Sequence, residues 1–198
     1  RYSSVTGVQT CALPISGRDV VTVGEAWSAT PDNAVLYSGP ERGELSMVFQ
    51  FDHVTRFWDA DLGKWKPLPV DLPALKQVFA RWQQALHGKG WNSLFWGNHD
   101  LPRAVSRYGD DGLHRVASAR MLATVLHLMQ GTPFIYQGEE IGMTNAGFTA
   151  IGQYRDVETL NWHREQLAAG MDEASFLAGA AANSRDNART PMQWSVAP

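Results

Sequence analysis

Two acidic residues stand where a β-strand would deliver them to chemistry. Glu25 follows Val20-Val21-Thr22-Val23-Gly24, which puts its carboxyl at the C-terminal edge of an apolar run, beside Trp27. Desolvation by such neighbours favours the protonated carboxyl that a general acid needs. Asp100 follows Ser93-Leu94-Phe95-Trp96 and a turn, with His99 directly before it. An adjacent imidazole and carboxylate can hydrogen-bond the vicinal hydroxyls of a sugar ring. Taken singly, each motif is as well explained by a structural or solvated side chain. A third polar segment, Ser184-Arg185-Asp186-Asn187-Ala188-Arg189-Thr190-Pro191-Met192-Gln193-Trp194, lies near the C-terminal end of the sequence.

Composition narrows the ligand. The net charge is -3, with both signs scattered along the chain, which gives no electrostatic footprint for nucleic acid or anionic lipid. A small neutral ligand fits better. Eight Trp, five Tyr and eight Phe supply flat faces on which sugar rings can stack, although most of them are expected to pack the core. No apolar run reaches the ~18 to 20 residues that span a bilayer, so no membrane partner is expected. The histidines show no metal-ligand spacing, and no cofactor is expected.

Residues 1–16 look foreign to the rest. Val5-Thr6-Gly7-Val8-Gln9-Thr10-Cys11-Ala12-Leu13-Pro14-Ile15 reads as the in-frame translation of a sequencing adapter, and the stretch lacks the apolar core of a secretory signal. Cys11 is the single cysteine, so residues 17–198 offer no disulfide, thiolate or cysteine-metal chemistry.

The elements that must carry these groups alternate short apolar runs with longer helical ones, the pattern of βα units around a parallel sheet. Strands are expected at residues 19–24, 45–51, 91–96 and 132–137. Leu72, Leu75, Val78, Phe79, Trp82 and Leu86 recur at helical spacing, with Asp71 as N-cap and Gly88 and Gly90 beyond the end. Residues 113–130 form a second helix, apolar over most of its circumference and therefore expected to be well buried. Further helices are expected near 157–169 and 173–182, in an excursion that walls one side of the site. The fold class is α/β, a partial TIM (β/α)8 barrel holding about strands five to eight with their helices. At 198 residues the chain falls short of the roughly 250 that a complete barrel takes.

Five segments together carry a resemblance: Thr22-Val23-Gly24-Glu25-Ala26-Trp27; Glu44-Leu45-Ser46-Met47-Val48-Phe49-Gln50-Phe51; Trp91 through Trp96 with Asn98-His99-Asp100-Leu101-Pro102-Arg103; Gly131 through Asn145; and the closing motif. In this order they resemble glycoside hydrolase family 13, the α-amylase superfamily, across residues 17–198, and within it the oligo-1,6-glucosidase and dextran glucosidase group. The resemblance implies that Glu25 is the acid/base and that Asp100 binds the 2- and 3-hydroxyls of the nonreducing glucose and stabilises an oxocarbenium-like transition state. It implies that His99 donates to the same ring and that Arg185 closes the blind end of an exo-acting pocket. Glu158 and Trp27 match positions that contact the next sugar. Glu139 and Glu140 match supporting positions rather than a catalytic pair.

The family's nucleophile, an aspartate in a Gly-Phe-Arg-x-Asp setting, has no counterpart in these 198 residues. The chain alone is therefore expected to be inactive and prone to misassembly, as the C-terminal half of a barrel truncated before the C-terminal β-domain. The expected substrates are short α-1,6-linked glucans. Trehalose-6-phosphate hydrolases and α-1,4-glucosidases share nearly all these motifs; sucrose isomerases and related transglycosylases are a second enzymatic alternative, set apart only by water exclusion at deglycosylation, and a noncatalytic barrel or sugar-binding module is the reading from a different class. Calcium, carried by some relatives, has no site in this sequence. The resemblance further implies a cytoplasmic protein; it leaves oligomeric state open.

Overall fold

The computed structural model describes residues 20–195. Residues 1–16, expected to be foreign to the rest, and Asp19 lie outside them. In chain order the elements are β1 (Val23–Glu25), α1 (Pro31–Ser38), β2 (Met47–Phe49), α2 (Asp52–Thr55), β3 (Trp58–Asp59), β4 (Gly63–Pro67), α3 (Leu72–Leu86), β5 (Asn92–Leu94), α4 (Ala104–Tyr108), α5 (Arg115–Leu128), β6 (Thr132–Pro133), α6 (Val157–Ala168) and α7 (Glu173–Asn183). Single 3₁₀ turns at Glu139–Ile141, Ile151–Gln153 and Arg185–Ala188 complete the list. By contacts the chain divides into two compact units.

The first unit (Arg1–His53, Lys76–Leu94, Gln130–Thr132) is built around a four-stranded sheet of order β1-β2-β5-β6. β1 pairs with β2, and β2 with β5, in parallel, Glu25 lying opposite Phe49 and Phe49 opposite Ser93. Parallel neighbours need crossover connections, and helices supply them. α1 starts on a capping box, in which the Thr30 side chain accepts from the Asn33 amide and Asn33 answers to the Thr30 amide, with Pro31 opening the helix. In α3 the predicted stripe is realised, Val78, Trp82 and Leu86 packing with Ala29, Ala34 and Val48 into one core. Asp71 accepts from the Ala74 amide, as its N-cap position requires. Gly131, at φ 151°, leads into β6 with Asn92 O only 2.7 Å from where a Cβ would stand, so a larger residue would push β6 from β5.

The second unit (Val54–Leu75, Phe95–Met129, Pro133–Pro198) holds the β3–β4 hairpin and α4 to α7. β3 and β4 pair antiparallel around a turn in which Asp59 Oδ1 accepts from the amides of Asp61 and Leu62. Trp65, Tyr154, Phe176 and Ala180 form the core that ties the hairpin to α7. α6 and α7 each begin on an aspartate cap, Asp156 to the Thr159 amide and Asp172 to the Ser175 amide.

Three expectations need correction. The strands are shorter than their apolar runs, most clearly the fourth, expected to reach Gln137 but paired only at Thr132–Pro133. Its remaining groups are engaged elsewhere: Gln137 O accepts from the Arg103 guanidinium at 2.6 Å and the Tyr136 hydroxyl donates to Ala188 O. α5 is not well buried. Leu122 and Leu126 are covered, but Val116, Met121, Val125 and Leu128 are exposed, because the described residues pack against one of its faces only. The third correction concerns the residues of the hairpin, which sequence periodicity left without an element.

Candidate active site

Glu25 and Trp27 belong to the first unit, at the end of β1. The Trp27 indole N–H donates to Glu25 Oε1 at 2.5 Å, and its ring stacks on Phe51 with centroids 3.8 Å apart and planes 13° from parallel. The Ala26 amide donates to Phe49 O and so continues the β1–β2 pairing to the carboxyl's own neighbour. The expected desolvation is not there: Glu25 is exposed, its apolar companions lying to one side of the strand end rather than around the carboxyl.

The second unit gathers Asp100, His99, Arg185 and Glu158 into one cluster. Arg185 uses each nitrogen on a different carboxylate: Nη1 on Asp100 Oδ1 at 3.3 Å, Nε on Asp156 Oδ2 at 3.3 Å, and Nη2 on Glu158 Oε2 at 2.9 Å. Arg189 runs beside it, with Nη2 2.7 Å from Asp100 Oδ1 and Nη1 3.3 Å from Asp156 Oδ1. Lys64 Nζ adds a bond to Glu158 Oε2 at 2.5 Å. Three cations thus face three carboxylates, a balance suited to a neutral polyol that exchanges hydrogen bonds with both signs. Asp100 and Arg185 keep about a quarter of their side chains accessible, 26% and 25%, so the cluster opens to a ligand.

Local structure explains this geometry. Asn98 Oδ1 accepts the Asp100 amide at 2.8 Å, and Arg189 Nε donates to His99 O at 3.0 Å, fixing both sides of the His99-Asp100 turn. Asp186 accepts from the amides of Arg155 and Asp156, which locks the closing motif to the start of α6. Buried Arg103 donates to the carbonyls of Asn187, Gln137 and Ala188, holding the turn that projects Arg185. His99 is open, 63% exposed, with Nε2 3.5 Å from Asp100 Oδ2.

Charge follows from the same contacts. Burial works against the Asp100 carboxylate, but His99, Arg185 and Arg189 outweigh it and hold its pKa below the usual carboxylate range. Burial likewise disfavours charge on Arg185, and Glu158, Asp156 and Asp100 more than offset it. Burial pushes Glu139 up to about 8, opposed by Arg103 and by the amides of Tyr136 and Gly97; Glu140 Oε2 accepts the Gly138 amide at 2.7 Å. Neither carboxyl joins the Asp100 cluster.

Sequence reasoning missed Asp156, Arg189 and Lys64. Arg189 lies four residues past Arg185 in the same motif, a spacing that could have suggested it; Lys64 had no local signal, because its partner is 94 residues away. Among the described residues no group of three His, Cys, Asp or Glu is placed to hold a metal ion, and no helix is long and apolar enough to cross a membrane.

A parallel sheet crossed by helices, with chemistry-bearing side chains just past the C-terminal ends of β1 and β5, is the organisation of an α/β-barrel enzyme. The model of the alpha amylase catalytic domain matches residues 3–198. The chain is 60% identical over 182 residues to a palatinase of Erwinia rhapontici, covering 90% of this chain and 33% of that protein. It is 56% identical over 176 residues to an oligo-1,6-glucosidase of Halalkalibacterium halodurans, covering 89% and 31%. The crystal structure of a trehalose-6-phosphate hydrolase of Bacillus licheniformis superposes with a TM-score of 0.85 at 50% identity, over 91% of this chain and 32% of that one. The chain belongs to the α-amylase family, glycoside hydrolase family 13, and spans about a third of the length of the curated relatives it matches.

Proposed function

We propose that the full-length protein is a retaining exo-α-glucosidase that removes terminal α-1,6-linked glucose from short oligosaccharides in cytoplasmic sugar catabolism, and that this chain supplies one part of its catalytic barrel. The observation that carries the reading is the run of ion pairs from Asp100 through Arg185 to Glu158 and Lys64. A guanidinium pinned by three carboxylates makes a rigid wall, and Asp100 beside it presents a fixed negative charge to the ring that develops positive charge. Asp100 and His99 bind the terminal glucose, and Glu158 and Lys64 meet the next sugar.

Glu25 then donates its proton to the leaving glucosidic oxygen as the C–O bond breaks, and takes a proton back from the water that releases the glucose. The nucleophile in this reading is the aspartate of the family's Gly-Phe-Arg-x-Asp segment, which is not among these 198 residues. The chain by itself is accordingly inactive. Both lysines of β4 are already engaged, Lys64 with Glu158 and Lys66 with Asp59 at 3.0 Å, which favours a neutral second sugar over a phosphorylated one.

Incubating the full-length enzyme with isomaltotriose and, separately, with sucrose, and following products by proton NMR, tests this. The expected result is single glucose units released from the nonreducing end as the α-anomer. Release of the β-anomer, internal cleavage, or rearrangement of sucrose as the dominant activity would each overturn it.

A further inference from the structure

Lys64 is held in place from α7. Asn183, the last residue of that helix, is 2% exposed and donates from Nδ2 to Lys64 O at 2.7 Å. Its Oδ1 is buried with no hydrogen-bond partner among the described residues. Packing alone would favour an apolar residue here, since a buried orphan acceptor is costly; the amide donor to Lys64 is what requires asparagine. One turn earlier, a Cβ at Gly179 would overlap the Trp65 carbonyl, with Trp65 C at 2.8 Å. Glycine inside a helix is destabilising relative to alanine, so its presence marks the closeness of this approach. Phe176, on the same helix face, stacks on the Trp65 ring with centroids 5.5 Å apart. α7 therefore grips β4 at consecutive residues, and the ammonium that pairs with Glu158 extends from the gripped strand.

We propose that Gly179 and Asn183 are positioning residues that set recognition of the second sugar by fixing the backbone from which Lys64 reaches Glu158. Neither touches the ligand. The inference rests on the reading above that Lys64 and Glu158 face the second sugar. If the hairpin shifts, the second sugar loses its contacts while the cluster of Asp100, Arg185 and Arg189, held by Arg103 and Asp186, keeps its place.

The test compares isomaltose with an aryl α-glucoside, which has no second sugar, in the full-length enzyme carrying Asn183→Ala, Gly179→Ala, Lys64→Ala or the pair Lys64→Ala/Asn183→Ala. Asn183→Ala and Gly179→Ala are expected to raise KM for isomaltose about tenfold, because a displaced contact loses binding that a correctly placed one supplies. Aryl-glucoside kcat/KM should stay within about twofold, and Asn183→Ala should add nothing once Lys64 is Ala. Equal losses on both substrates, or additive effects in the double variant, would overturn the proposal. Should Gly179→Ala fail to fold, Asn183→Asp, which keeps the shape and removes the donor, decides by the same KM comparison. If Lys64→Ala leaves isomaltose hydrolysis intact, the reading of the second-sugar site falls and this inference with it. If Lys64→Ala is damaging while Asn183→Ala is harmless, this inference alone falls.

Discussion

Asp100 sits among His99, Arg185 and Arg189, whereas Glu25 is exposed and takes a close hydrogen bond from the neutral Trp27 indole. Both carboxyls follow parallel strands, so the contrast lies in what surrounds them. A group that must stay charged can be given permanent cations, and the closing motif delivers two of them to Asp100. A carboxyl that must hold a proton and then release it cannot be tied to a cation, because the cation favours the carboxylate and strips the proton in advance. The Trp27 indole orients Glu25 without adding a charge beside it.

The sharpest way to break this contrast is to remove the group proposed to carry the proton. Glu25→Gln in the full-length enzyme should lower kcat on isomaltose by about 10²–10⁴-fold. The loss should be smaller on aryl glucosides whose leaving groups need no proton; equal losses on both would contradict an acid/base role. Asp100→Asn should cost about 10²–10³-fold in kcat, the scale of removing one electrostatic stabiliser, and should do so on both substrates alike. Arg185→Lys comes next, at about tenfold or more in kcat/KM, because an ammonium cannot address three carboxylates as the guanidinium fork does.

Two smaller effects follow from titration. The Asp100 carboxyl has its pKa lowered on folding, so its contribution to stability is present above the ordinary carboxylate range and is lost as pH falls through the lowered value. Arg189→Gln removes one of the opposing charges and should move the acid limb of kcat upward in pH; an unmoved limb would show that Arg189 does not set the Asp100 charge. Glu139 has the opposite sign. With its pKa raised to about 8, its contribution is complete below the unfolded value near 4.5 and is lost as pH rises through about 8. Glu139→Gln should flatten the fall of Tm over that window by a few degrees, measured by calorimetry across pH.

Particular elements show how far the sequence could be read. Leu72–Leu86 was legible to the residue because its apolar period, its aspartate cap and its terminal glycines agree. Val157–Ala168 and Glu173–Asn183 were legible to within a residue, each with an aspartate cap in place. The β3–β4 hairpin was not, because Trp58-Asp59 and Gly63 through Pro67 carry neither β-branched runs nor clean alternation. Its one local cue was the turn chemistry of Asp59 ahead of Gly63, which has φ 56°. The cluster was legible where its residues lie in recognisable motifs, His99 and Asp100 in one and Arg185 in the closing one, and illegible where neither the residue nor its spacing gave a signal, as for Lys64, 94 residues from Glu158. Exposure was misjudged twice in one direction. Apolar neighbours in sequence implied burial for Glu25 and for α5, but burial depends on what packs across an element, which adjacency along the chain does not encode.

The most direct test of the account is a crystal structure of the full-length Glu25→Gln enzyme with isomaltose bound. The account predicts the 2- and 3-hydroxyls of the nonreducing glucose within hydrogen-bond distance of Asp100, with Arg185 behind them and the second ring beside Glu158 and Lys64. An isomaltose seated away from Asp100, or reversed so that its reducing end meets Arg185, would contradict it.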